Sequence, residues 1–174
     1  MQNLKQCFRL FLSAWLLLAL PASAGEPPPQ AGAGAGRIEL QAIVGYAGFV
    51  DDAFIDLHHS AFGGAARIYL TERFSLQPEL VYMYHSPGDK DWVLIPALAA
   101  DLRPREKRLV PYVIGGVGFL YHQGGIFSGT TLTGGVGLGT KIFLSERWYL
   151  APEVRVGWEP FLRATVGIGY VLRH

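Results

Sequence analysis

The stretch 147–158, RWYLAPEVRVGW, alternates residue by residue. Its even positions are Trp148, Leu150, Pro152, Val154, Val156 and Trp158, all apolar; its odd positions are Arg147, Tyr149, Ala151, Glu153, Arg155 and Gly157. Successive side chains of a strand point to opposite faces, so this is a strand with one apolar face. The segment 74–84 reads the same way, with Phe74, Leu76, Pro78, Leu80, Tyr82 and Tyr84 on the even side. So does 162–172, with Leu162, Ala164, Val166, Ile168, Tyr170 and Leu172. Working outward, 38–46, 62–70, 92–102, 110–120 and 132–144 fit the template and bring the expected number of strands to eight. Their connections alternate. Tight polar turns at 71–73, 103–108 and 145–147 face longer or more variable loops at 47–61, 85–91, 121–131 and 159–161. That is the pattern of an up-and-down antiparallel meander.

An internal repeat supports it. Residues 67–84, RIYLTERFSLQPELVYMY, and 141–158, KIFLSERWYLAPEVRVGW, are identical at seven of eighteen positions. The same offset of 74 carries Ile38 onto Tyr112, Leu40 onto Ile114, Trp92 onto Val166 and Leu98 onto Leu172. It predicts two four-strand halves with even residues apolar throughout.

Eight such strands close either as a soluble barrel with the apolar face inward, or as a membrane barrel with that face on lipid and a polar interior. The odd face decides for the membrane form. It is poor in the lysines and glutamates that a watery surface wants, and rich in small residues such as Gly63, Ala65, Gly135, Gly137, Gly139, Gly167 and Gly169. Tyr82, Tyr84, Trp92, Tyr112, Trp148, Trp158 and Tyr170 are assigned to interfacial girdles on the outside. Glu39, Gln41, Arg67, Gln77, Glu79, Lys141, Glu153, Arg155 and Arg163 are assigned to the lumen. The expected fold is an all-β, eight-stranded antiparallel up-and-down transmembrane β-barrel over 37–174; a soluble periplasmic lipocalin-like carrier is the alternative.

Composition agrees. Half of the 174 residues are hydrophobic, 17% are charged and 22 are glycine, an odd balance for a soluble domain. Residues 1–24 read as a secretory signal peptide, with Lys5 and Arg9 before the apolar run 10–20 and Ala22-Ser23-Ala24 ahead of a cut near Ala24/Gly25. The one cysteine, Cys7, goes with it, so no disulfide or thiol chemistry is expected of the remainder. Removing Lys5 and Arg9 leaves 13 basic against 14 acidic side chains, a balance that argues against nucleic-acid binding. Residues 25–36, GEPPPQAGAGAG, read as a flexible Pro/Ala/Gly leader. No run of eighteen apolar residues follows, so no transmembrane helix is expected.

The signal peptide, the eight-strand pattern and the phrases GGVGLGTKIF (134–143) and SERWYLAPEVRVGW (145–158) resemble the small outer-membrane β-barrels of Gram-negative bacteria, the OmpA-like transmembrane and OmpX-like group. The resemblance covers 37–174 and implies residence in the outer membrane. It also implies contact with its lipid and lipopolysaccharide, and handling by the barrel-assembly machinery. Members usually end in an aromatic residue, whereas this chain ends in His174. Pro78, Pro96 and Pro152 fall mid-strand, where each removes a ladder donor, and local bulges are the expected remedy.

Function is less legible. An eight-stranded barrel is just wide enough for side chains to fill, so paired lumen charges are expected to plug it, a gated ion path being the functional alternative. An enzymatic alternative, a lipid A deacylase or acyltransferase, rests on His58 and Ser60 with Asp56, because a serine beside a carboxylate-oriented histidine can become a nucleophile. The deacylases carry a His-x-Ser-Asn motif, and here Ala61 replaces the asparagine. No metal site is read from His58 and His59, since neighbours on an extended chain diverge. His85 and His122 read as interfacial. Gly115-Gly116-x-Gly118 lies inside a strand and lacks a dinucleotide-binding context. No cofactor is expected. The loop 47–61, apolar at Phe49, Val50, Phe54, Ile55 and Leu57, is the candidate contact for a surface partner. The sequence therefore favours a non-enzymatic envelope or surface-interaction role.

Overall fold

The computed structural model describes residues 35–51, 54–86, 89–102, 108–124, 127–160 and 162–173. Eight strands follow one another: β1 (Ile38–Asp51), β2 (Phe54–Tyr69), β3 (Phe74–Ser86), β4 (Asp89–Asp101), β5 (Leu109–Gly124), β6 (Phe127–Phe143), β7 (Trp148–Trp158) and β8 (Leu162–Arg173). Each pairs antiparallel with the next, and β8 closes on β1 to form a barrel. Following paired residues round the wall from Ile38 through Ile68, Leu76, Leu98, Gly115, Val136, Val156 and Leu162 returns to β1 at Gly48, ten residues higher. That stagger tilts the strands by about 40° and leaves a bore of the width that side chains can fill.

On seven strands odd residues point inward and even residues outward, as alternation predicts. On β5 the parity is reversed: Val110, Tyr112, Ile114 and Leu120 are buried inside, while Val113, Val117, Phe119 and Tyr121 face out. Period-two reading fails here because both faces of β5 are apolar. Pairing fixes the facing, since directly opposed residues share a side. Ile114 stands opposite the buried Ala99, and Tyr112 opposite Gly139. The repeat offset therefore does not extend to β1 and β5. Ala65 faces Gln41 and its repeat counterpart Gly139 faces Tyr112, so Tyr112 takes the place of Gln41 and not of Ile38. Likewise Leu76 faces Leu98 and its counterpart Leu150 faces Ile168, so Leu98 corresponds to Ile168 and not to Leu172.

Within the repeat itself the match extends to single hydrogen bonds. In the first turn, Leu70 N and Thr71 N donate to Phe74 O at 2.9 and 3.1 Å; in the second, Leu144 N and Ser145 N donate to Trp148 O at 2.8 and 3.2 Å. Thr71 Oγ1 accepts from Phe74 N at 3.0 Å, and Ser145 Oγ from Trp148 N at 3.1 Å. A short hydroxyl side chain that bonds backbone two and three residues on is what closes both turns.

The mid-strand prolines are accommodated without bulges. Pro78 and Pro96 stand opposite each other in unbroken β3–β4 register. Each instead interrupts the ladder to its other neighbour: β2–β3 pairing resumes in the same register on either side of Pro78, as does β4–β5 pairing around Pro96 and β6–β7 pairing around Pro152. A missing N–H costs a partner on one side only.

The opposite end of the barrel also corrects the expected loops. Residues 47–51 continue β1 and 54–61 belong to β2, so 47–61 is the top of a hairpin and not a long loop. Residues 121–124 and 127–131 likewise extend β5 and β6. Ser128 to Leu132 are exposed on both faces, so nothing there imposes the alternation by which a strand is recognised.

Candidate functional site

The lumen is the most developed polar site. Glu79 on β3 accepts both ends of the Arg155 guanidinium from β7, at 2.9 and 2.6 Å, and Arg163 from β8 at 2.6 Å. Glu153, two residues from Arg155 and on the same face, accepts its Nε at 2.6 Å and lies 3.9 Å from Arg163. Nearer the short turns, Lys141 from β6 lies 3.1 Å from Asp101 and 3.5 Å from Glu39, and donates to the Tyr69 hydroxyl. Arg67 donates to Gln77 at 2.6 Å and lies 3.6 Å from Asp101. Arg37 pairs with Glu39 at 2.9 Å. All these charged side chains are buried. Bidentate, multiply bonded pairing of this kind offsets the desolvation that isolated buried charges would suffer.

Tyr112 joins the two groups. Its ring lies 4.3 Å from the Arg67 guanidinium, and its hydroxyl donates to Glu153 Oε2 at 2.8 Å. The expected interfacial position of Tyr112 is thus overturned by its reversed strand: it is fully buried in the lumen. Room for it comes from Gly139 opposite, where a Cβ would collide with the tyrosine ring. Gly169 makes the same allowance for Tyr149. Beyond the charges, Val81, Met83, Val93, Ile95, Ala97 and Leu120 form an apolar wall toward the opposite mouth.

The structure places all seven charged residues assigned to the lumen inside it. Sequence reasoning missed Arg37, Asp101, Tyr69 and Tyr149, although each is an odd residue within or next to a strand whose odd face points in. The other assigned aromatics lie on the outside, with Tyr82 against Trp92 and Trp148 against Tyr170, each pair at 4.8 Å between ring centroids. Tyr46, Phe74, Phe119 and Tyr121 join them there. Trp148 and Trp158, at the two ends of β7, are both about half exposed. Ten residues of strand tilted by about 40° set them roughly 25 Å apart along the barrel axis, the height of a lipid-facing band. Between them Leu80, Leu94, Leu98, Val136 and Ile168 are exposed on the outer wall.

Of the serine–histidine arrangement, only Ser60 has a side chain among the described residues. Ser60 stands opposite Tyr46 and Tyr84, both outward. His59 stands opposite the buried Ala47, with its ring 4.7 Å from Phe49 and 4.8 Å from His85. The side chains of Asp56 and His58 lie outside the described residues. His122, expected at the interface, points into the mouth and meets Asp91 at 2.7 Å. Among the described residues no three His, Cys, Asp or Glu side chains form a group that could hold a metal ion.

No protein-family model matches the chain, and no curated protein does. Solved structures do. The N-terminal β-barrel domain of Pseudomonas aeruginosa OprF matches at 17% identity and TM-score 0.60, over 80% of this chain and 99% of that one. Neisserial surface protein A (NspA) matches at 13% identity and TM-score 0.64, over 78% and 97%. A de novo designed transmembrane β-barrel matches at 19% identity and TM-score 0.53, over 79% and 97%. At such identities the likeness speaks for architecture: the chain has the fold of the small, closed, eight-stranded antiparallel barrels of Gram-negative outer membranes.

Proposed function

We propose that the chain is an integral outer-membrane protein of a Gram-negative bacterium, exported by the 1–24 signal peptide, with a structural or surface-contact role and a lumen closed by its own side chains. The inversion of faces supports this most directly. Leu98 and Val136 are more than 60% exposed on the outer wall, while Glu39, Lys141 and Arg67 inside are essentially inaccessible. Water on the outside and charge on the inside would be the wrong way round for a soluble carrier; lipid outside reconciles both. The layers of paired charges, Tyr112, Tyr149 and the apolar wall above them support a lumen closed to general diffusion. The protein works without a cofactor and performs no lipid A chemistry. Its partners are the lipid and lipopolysaccharide of the membrane, the barrel-assembly machinery, and a surface partner at the tall β1–β2 and β5–β6 hairpins. Membrane fractionation with a heat-dependent gel shift tests the reading. Recovery in the outer membrane with a shift is expected; recovery in the soluble periplasm without one contradicts it. Planar-bilayer recordings are expected to show no conductance steps, and lipid A is expected to keep its acylation pattern.

A further inference from the structure

The repeated turns carry a feature that closing a hairpin does not require. Each places a glutamate and an arginine side by side immediately before an outward aromatic: Glu72-Arg73-Phe74 and Glu146-Arg147-Trp148. All six are exposed, and the four charged ones form no ion pair among the described residues. The Thr71 and Ser145 hydroxyls hold both turns in one geometry, also accepting from Arg73 N at 3.3 Å and Arg147 N at 3.4 Å. The carbonyls of Arg73 and Arg147 accept from Asp101 N and Val171 N on the adjoining strands, which ties each turn to its neighbour. Arg147 also donates to the Tyr170 hydroxyl at 3.2 Å, and Tyr170 packs on Trp148. These arginines therefore stand at the girdle, at the level where lipid headgroups begin.

We propose that each turn is a station for one phospholipid headgroup of the phosphatidylethanolamine type. This rests on the membrane reading above. The arginine supplies several donors to the phosphate. The glutamate accepts hydrogen bonds from a primary ammonium, which a quaternary ammonium cannot give. A neutral Glu-Arg pair suits a zwitterion and gives no advantage to a purely anionic headgroup, which the carboxylate repels. Rigid turns keep the ordering cost of binding low.

The test uses the full barrel reconstituted in vesicles of equimolar phosphatidylethanolamine and phosphatidylcholine, extracted into detergent, with retained lipids counted by native mass spectrometry. Phosphatidylethanolamine is expected to be enriched about fivefold over phosphatidylcholine, at up to one molecule per turn. The double variant Glu72→Gln, Glu146→Gln is expected to retain phospholipid but lose the enrichment. Arg73→Gln with Arg147→Gln is expected to lose retention of both lipids. No enrichment in the unaltered protein, enrichment that survives the glutamate substitutions, or preference for phosphatidylglycerol in a competing vesicle would overturn the proposal. A heat-dependent gel shift on the same samples separates the causes: an inserted barrel without enrichment overturns the stations alone, whereas a chain that never inserts overturns the membrane reading and the stations with it.

Discussion

Residues 67–84 and 141–158 repeat each other in sequence and in turn hydrogen bonds, whereas β1 and β5, the strands leading into the two repeats, differ in register and in facing. The difference separates local from non-local instruction. A turn is specified by a few residues, and Thr71 and Ser145 do the same work in both halves. Facing is specified by which side can be buried. In β1 Glu39 and Gln41 leave no choice, because a charge on the lipid side is costly. In β5 both sides are apolar, so the decision passes to the neighbours: Gly139 offers Tyr112 a slot, and Arg67 and Glu153 offer it partners.

Substitutions can break this comparison, and the largest effect is expected where repeat-equivalent residues carry unequal loads. Glu79 and Glu153 occupy the same repeat position, yet Glu79 takes three bonds from Arg155 and Arg163, and Glu153 takes one from Arg155 and one from Tyr112. Glu79→Ala is expected to cost about 3–5 kcal/mol, because it removes three of the bonds to two buried guanidiniums and leaves Arg155 a single bond to Glu153 and Arg163 only a 3.9 Å contact with it. Glu153→Ala is expected to cost less, since Arg155 and Arg163 keep Glu79. Urea unfolding of the two variants in lipid vesicles measures the difference; equal losses would mean that the halves share the load evenly.

Next is the slot under Tyr112. Gly139→Ala puts a methyl group into its ring and is expected to cost about 1–3 kcal/mol. Gly129→Ala, on the same strand with open space around it, is expected to be nearly neutral by the same assay. Smallest and most symmetric are the turns. Thr71→Ala and Ser145→Ala are each expected to cost about 0.5–1.5 kcal/mol, and the two values are expected to agree. A marked inequality would show that the matching bonds are not matched in energy.

Much of this barrel is legible in the sequence wherever a polar residue breaks the symmetry of a strand. Glu39, Arg67, Glu79, Lys141, Glu153, Arg155 and Arg163 report their own facing. The failures have physical causes. Tyr112 lies in a stretch, 109–120, that carries no charged or amide side chain to mark its inner face, and the repeat offset pointed it the wrong way. At the top of β6, Ser128 to Leu132 are exposed on both faces, so alternation carries no energetic reward there. Pro78, Pro96 and Pro152 look like strand breakers, but register survives because each forfeits one ladder partner on one side. The connections between Arg67, Tyr112 and Glu153 span three strands, and no spacing along the chain encodes them.

The most direct test is a spin-label accessibility scan along β4 and β5 in vesicles, comparing oxygen, which concentrates in lipid, with a water-soluble nickel chelate. Oxygen accessibility is expected to peak at Trp92, Leu94 and Leu98 on β4 and at Val113, Val117 and Phe119 on β5, so that the parity reverses from one strand to the next. Val110, Tyr112 and Ile114 are expected to be protected from both reagents. Peaks at the even positions of β5 would contradict the reversed strand, and nickel access along the outward positions would contradict a barrel that meets lipid.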